Sequence, residues 1–123
     1  MNQTMQHVGI DIIEIIRIKR AIARRGEIFL KRVYTSLELE LYRKKPASLA
    51  ARFAGKEAVI KALQTKGIGP REIEIISDPD SRPLVQLYGR AKKQADELGL
   101  AHLVISLSHS REYAIACVIG EAK

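Results

Sequence analysis

A chain of 123 residues, 46% apolar and with a formal charge of +7, fits one domain with one core and is too short for two, so residues 1–123 form a single unit. No run reaches the roughly 20 apolar residues of a membrane-spanning helix. The opening MNQTMQH lacks the basic-then-apolar order of a secretion leader, and the expectation is a cytoplasmic protein with no membrane part. With two Phe, four Tyr and no Trp, few side chains could stack on bases, which disfavours nucleic acid as a partner. The one cysteine, Cys117 in AIACVIG, reads as a small core residue.

In chain order, HVGIDIIEII (7–16) is β-branched and alternating, a strand with Gly9, Asp11, Ile13 and Ile15 on one face. A helix follows over Arg17 to Arg25, with Ile18 and Ile22 inward and Arg17, Arg20 and Arg24 on another face; Gly26 interrupts it before Phe29 and Leu30. Seven of the 21 Lys and Arg lie between Arg17 and Arg32, which points to a polyanionic partner: nucleic acid, a nucleotide or an acidic protein. Thr35 or Ser36 caps the short helix LELELYRKK, with Glu38 at capping-box spacing from Thr35. Pro46 opens a long helix that ends near Gln64, ahead of Gly67, Gly69 and Pro70. EIEIIS and PLVQLYG are strands flanking the turn DPDSRP, GRAKKQADELG is a helix, and LVISLSHSREYAIACVIG is a hairpin around His109, Ser110 and Arg111. Strands and helices do not alternate regularly. The predicted class is therefore α+β, a mainly antiparallel sheet packed against a long central helix and shorter helices.

The long helix carries the chemistry. At 100° per residue, Leu49, Phe53, Ile60 and Leu63 of this helix share a stripe that also holds Lys56, with Arg52 and Glu57 on its edges. The opposite side is Ala51, Ala54, Gly55, Ala58 and Ala62. Lys56 must therefore either snorkel past the core or form a buried pair. Asp11 is a carboxylate inside an apolar strand and needs a cation or several hydrogen bonds. Asp11 and Glu57 could converge on Mg²⁺, which takes a few protein oxygens plus waters and substrate phosphates. Arg52, Lys56 and Lys61 would supply the positive charge that holds a pyrophosphate. The plainer alternative gives Asp11 a structural ion pair and pairs Glu57 with Lys61 at i,i+4, worth only about 0.2–0.5 kcal/mol. His109, at a strand end, suits a phosphate or nucleotide contact. No P-loop, no G-x-G-x-x-G and no G-x-S-x-G occurs, and one Cys with three scattered His excludes a structural zinc site. A basic nucleic-acid-binding domain would explain the charge but leaves Asp11 and Glu57 without a task.

Three stretches in order, GIDIIEIIRI (9–18), RFAGKEAVIKAL (52–63) and SLSHSREYAIA (106–116), resemble the holo-acyl-carrier-protein synthases, the small bacterial phosphopantetheinyl transferases. RPLVQLYGRA fits the segment before the last of them. The resemblance implies an α+β fold that assembles as a trimer with active sites between subunits. It implies Mg²⁺-dependent transfer of phosphopantetheine from coenzyme A to a serine of apo-acyl carrier protein, in fatty-acid or polyketide synthesis, with release of adenosine 3',5'-bisphosphate. On this chain it makes Asp11 and Glu57 the metal ligands and Glu57 and Lys61 the catalytic pair. Arg52, Lys61 and His109 fall around the phosphates and nucleotide of coenzyme A, with Lys61 on the pyrophosphate and Lys44, beside Arg43, in a further phosphate role. Glu57 or a metal-ordered water would take the serine proton. The acidic carrier would dock on Arg17, Arg20, Arg24 and Arg25. Two departures stand out: Gly55 replaces the usual Ala, at up to about 1 kcal/mol in a helix, and the loop QTKGIG is one residue longer than the usual glycine-rich turn.

Overall fold

The computed structural model describes residues 5–122, so most of the MNQTMQH segment lies outside the described residues. The chain runs β1 (Met5–Glu14), α1 (Ile15–Arg25), α2 (Glu27–Val33), α3 (Ser36–Tyr42), α4 (Pro46–Leu63), β2 (Ile73–Ser77), β3 (Pro83–Leu87), α5 (Gly89–Glu97), β4 (Leu100–His109) and β5 (Tyr113–Ala122). Two antiparallel sheets result, one ordered β1-β5-β4 and one of β2 and β3. The class is α+β, as the irregular order of strand and helix patterns predicts. Several boundaries shift by one to three residues from that prediction, two of them with a visible cause. Helix α1 starts at Ile15 because its amide finds the Glu112 carbonyl at 2.8 Å and leaves the β1 ladder, and Pro70–Glu72 forms a 3-10 turn ahead of β2.

Helix α4 is buried on nearly all sides, but its apolar stripe is not buried throughout: Leu49 and Leu63 have no exposed surface, and the middle of the stripe is more open. Phe53 and Ile60 are only partly buried, whereas Ala50, Ala54, Ala58 and Ala62 have no exposed surface. Small side chains let backbones approach. Gly9 of β1 lies so close that a Cβ there would stand 1.8 Å from the Ala58 carbonyl oxygen. Gly55 faces Ile75, Ile105 and Leu107, and a Cβ on it would come within 2.6 Å of Ile75 Cδ1. The departure at Gly55 is thus matched by larger neighbours that fill its space.

Lys56 forms the buried pair. Its Nζ donates to Glu38 Oε1 at 2.7 Å, to the Pro70 carbonyl at 2.9 Å and to the Ile73 carbonyl. Glu38 in turn accepts from the amides of Thr35 and Ile75, both at 2.8 Å, and completes the capping box of α3. Burial pulls the Lys56 amine down and the Glu38 carboxylate opposes that shift. All three ammonium donors have acceptors, so the charge is compensated inside the core. The outward face of the three-stranded sheet is the reverse case. Val8, Ile10, Ile12, Val104 and Ile119 stand between 43% and 61% exposed there, an apolar patch that nothing covers among the described residues. Among the described residues no helix is long and apolar enough to cross a membrane.

Lys56→Met should destabilise the chain by about 3–5 kcal/mol, because it strands the Glu38 carboxylate in the core. Urea unfolding measures this; a loss under about 1 kcal/mol would show the pair to be dispensable.

Candidate active site

Strand alternation turns Asp11 to the same side of β1 as His7, Gly9 and Ile13, toward α4. The close contact at Gly9 then sets β1 against the C-terminal half of that helix. Lys61 reaches across, its Nζ donating to Asp11 Oδ1 at 3.0 Å and to the Ile10 carbonyl at 2.9 Å. The Asp11 side chain is 20% exposed and that of Lys61 54%. Lys61 therefore pairs with Asp11 across the interface, not with Glu57 one turn before it on the helix. Burial raises the Glu57 carboxyl above its ordinary value, the Asp11 charge raises it further, and Lys61 offsets part of this. The two carboxylates thus repel each other at the mouth of a cleft of about 430 Å³, walled by Ile13, Ile18, Phe29 and Phe53, with Arg17 at its edge.

This donor set suits Mg²⁺. Among the described residues no group of three or more His, Cys, Asp or Glu could cage a metal. Mg²⁺ does not need such a cage, since it takes one or two carboxylates and fills its shell with waters and phosphates. Burial does most to raise Glu57, and the Asp11 repulsion that adds to it is what a divalent cation would relieve.

Other expected site residues lie elsewhere. Arg52 precedes Glu57 by five residues, which turns it about 140° around the helix. It is buried, with Nε donating to the Ile75 carbonyl at 3.2 Å and Nη2 to Ser77 Oγ at 2.8 Å. Lys44 is exposed after the end of α3, and the neighbouring Arg43 pairs with Glu27. His109 is exposed at the end of β4. None of these three lines the Asp11–Glu57 cleft of its own chain. Arg17, Arg20, Arg24 and Arg25 are exposed on α1, and Arg17 alone of them reaches the cleft. Periodicity missed the walls Phe29 and Phe53, because each looks like an ordinary core residue until the cleft between α1, α2 and α4 is seen. Incomplete burial of a phenylalanine on a buried helix is the signal, and it is tertiary.

The 4'-phosphopantetheinyl transferase superfamily matches residues 7–118 of the chain. A holo-[acyl-carrier-protein] synthase of Dehalococcoides mccartyi (strain CBDB1) is 54% identical over 118 residues, covering 95% of this chain and 99% of the relative. One of Herpetosiphon aurantiacus is 47% identical over 121 residues, covering 91% and 95%. Among solved structures, the holo-[acyl-carrier-protein] synthase of Helicobacter pylori in complex with coenzyme A superimposes with a TM-score of 0.82. It is 36% identical, with 92% of this chain and 98% of that one covered. With the family matched from β1 to β5, the chain belongs to the 4'-phosphopantetheinyl transferase superfamily.

Proposed function

We propose that this chain transfers the 4'-phosphopantetheine group of coenzyme A to a serine of apo-acyl carrier protein and releases adenosine 3',5'-bisphosphate. The observation that carries this is that Asp11 and Glu57 line one apolar-walled cleft, with Lys61 paired to Asp11 beside it, in a chain of this family. Asp11 and Glu57 would hold Mg²⁺, which supplies charge neutralisation at the pyrophosphate when bound. Lys61, more than half exposed, is free to turn from Asp11 toward a pyrophosphate oxygen. The serine oxygen forms a new bond to the β-phosphorus, the bond to the bridging oxygen breaks, and the nucleotide leaves with that oxygen. Glu57, or a water it orients, takes the serine proton. The exposed basic ridge of α1 receives the acidic carrier, with Arg17 linking ridge and cleft. Arg52, Lys44 and His109 take the phosphates and nucleotide of coenzyme A, and the cytoplasm, where both substrates occur, is the setting.

The same proposal includes a homotrimer. Lys44 and His109 stand apart from the cleft within one chain, as they would in a site completed by a second subunit, and the bare apolar sheet face supplies the surface to associate. Ile119→Lys, near the middle of that face, should convert a three-chain species into single chains in sedimentation equilibrium. A wild-type protein that sediments as one chain would refute the assembly.

Incubation with coenzyme A, Mg²⁺ and apo-carrier should add phosphopantetheine to the carrier, read by mass spectrometry and abolished by EDTA. Asp11→Ala and Glu57→Ala should lower the rate at least about 100-fold, the scale for a group acting in the chemical step. Turnover near wild type would sink the metal assignment. In the same assay Arg24→Glu should raise the carrier KM and flatten its salt dependence.

The raised Glu57 carboxyl also predicts a pH signature in the metal-free protein. Below the unfolded value near 4.5 both states hold the proton and nothing is gained or lost. As pH rises from there through the folded value, the unfolded state ionises first and stability falls. Glu57→Gln removes that slope, so in EDTA it should raise the melting midpoint at pH 7 and leave it unchanged at pH 4. An equal shift at both pH values would refute the electrostatic cause.

A further inference from the structure

Arg52 is the one arginine among the described residues that the fold buries, and three contacts of different kinds hold it. Its Nε donates to the Ile75 carbonyl and its Nη2 to Ser77 Oγ. Its guanidinium stands over the Tyr42 ring, with Cζ 3.8 Å from the centroid. The Tyr42 hydroxyl then accepts from the Ser77 amide at 3.0 Å, which ties ring and strand into one closed unit. Two hydrogen bonds on one edge fix the guanidinium in its plane, and the stack fixes the plane itself.

One edge is left over. Nη1 makes no hydrogen bond among the described residues, yet it is not an enclosed unsatisfied atom, a condition met only by His7 Nδ1. Nη1 thus keeps some contact with solvent on a residue only 6% exposed, an unpaired donor open to a group arriving from outside. Core packing alone would not require that arrangement, since an apolar side chain could fill the volume without carrying a charge inward.

We propose that Tyr42 and Ser77 are positioning residues, which hold Arg52 so that its Nη1 edge meets a phosphate of coenzyme A. This rests on the phosphate role given to Arg52 above. The ring and the hydroxyl fix the guanidinium before substrate arrives, so less freedom is lost on binding. Neither residue touches the reacting phosphorus, and removing either should weaken substrate binding while leaving the chemical step unchanged.

Saturation kinetics for coenzyme A at fixed carrier, with calorimetric binding of coenzyme A and a melting midpoint for each variant, test this. Arg52→Gln should raise the coenzyme A KM about 10-fold or more. Tyr42→Leu and Ser77→Ala should raise it about 3–10-fold, with kcat within about 2-fold and the carrier KM unchanged. Tyr42→Phe, which keeps the ring and loses only the hydroxyl, should recover most of the Tyr42→Leu defect. If Arg52→Gln raises the KM but Tyr42→Leu and Ser77→Ala leave it at the wild-type value, the positioning role is wrong. If Arg52→Gln itself leaves the KM unchanged, the phosphate role of Arg52 fails and the positioning role with it. A fall of kcat, coenzyme A affinity and carrier affinity together, with a lowered melting midpoint, would reduce the network to fold stability and overturn the proposal. Should Tyr42→Leu not fold, Ser77→Ala, which removes a single oxygen, carries the test; a wild-type coenzyme A KM in it would then count against positioning.

Discussion

The contact between Gly9 and the Ala58 carbonyl is the constraint on which the rest depends. At that spacing no side chain fits between β1 and α4, so strand and helix meet backbone to backbone. Asp11, two residues on along the strand, is then carried to the flank of the helix that bears Glu57 and Lys61. An alanine at position 9 would force the two elements apart. The alanine-rich side of α4 serves the same end, since Ala54, Ala58 and Ala62 present too little bulk to hold the sheet away. A helix built for close approach on one side must find other ways to bind its remaining neighbours.

Charge serves that purpose on the other side. Lys56 and Glu38 join α4, the first turn of α3 and the start of β2 through one compensated pair, which satisfies amides and carbonyls that no sheet ladder reaches. Such a pair adds little net stability over apolar packing, but it tolerates only one arrangement of the three elements. Arg52, one turn earlier, repeats the device with β2 and Tyr42. Two cations four residues apart thus pin the small β2–β3 sheet to the central helix.

At the cleft the same kind of group is left uncompensated. Glu57 is partly desolvated beside Asp11 and has only a share of Lys61, so the site carries a surplus of negative charge that a divalent cation would satisfy. The surface around it is positive along α1. Local acid within a basic field suits two polyanionic substrates and a bridging metal better than it suits a nucleic-acid backbone, which the carboxylates would repel.

Much of this was legible in the residue order. Alternation in HVGIDIIEII, the Thr35 and Glu38 capping box, Pro46 and the hairpin around His109 rest on local stereochemistry, which acts over a few residues and so shows in sequence. That Asp11 would come near Glu57 was anticipated because a carboxylate inside an apolar strand needs a partner and the long helix offered charges to meet it; that its partner is Lys61 was not. Other features were beyond sequence reasoning. The wheel put Phe53 and Ile60 on the main buried stripe, where the tertiary structure buries the alanines more completely, since a wheel ranks faces by hydrophobicity and not by how closely a partner approaches. It could not choose between a snorkelling Lys56 and a buried one, because Glu38 lies eighteen residues away and only folding brings it near. Nor could it separate Arg52 from Lys61: both are cations on one helix, and only the positions of β1 and β2 on opposite flanks decide which reaches Asp11 and which is held by Tyr42 and Ser77. Sequence by itself determined the elements and the residue types that needed partners; tertiary structure alone decided which partners they found, because those distances depend on packing between segments far apart in the chain.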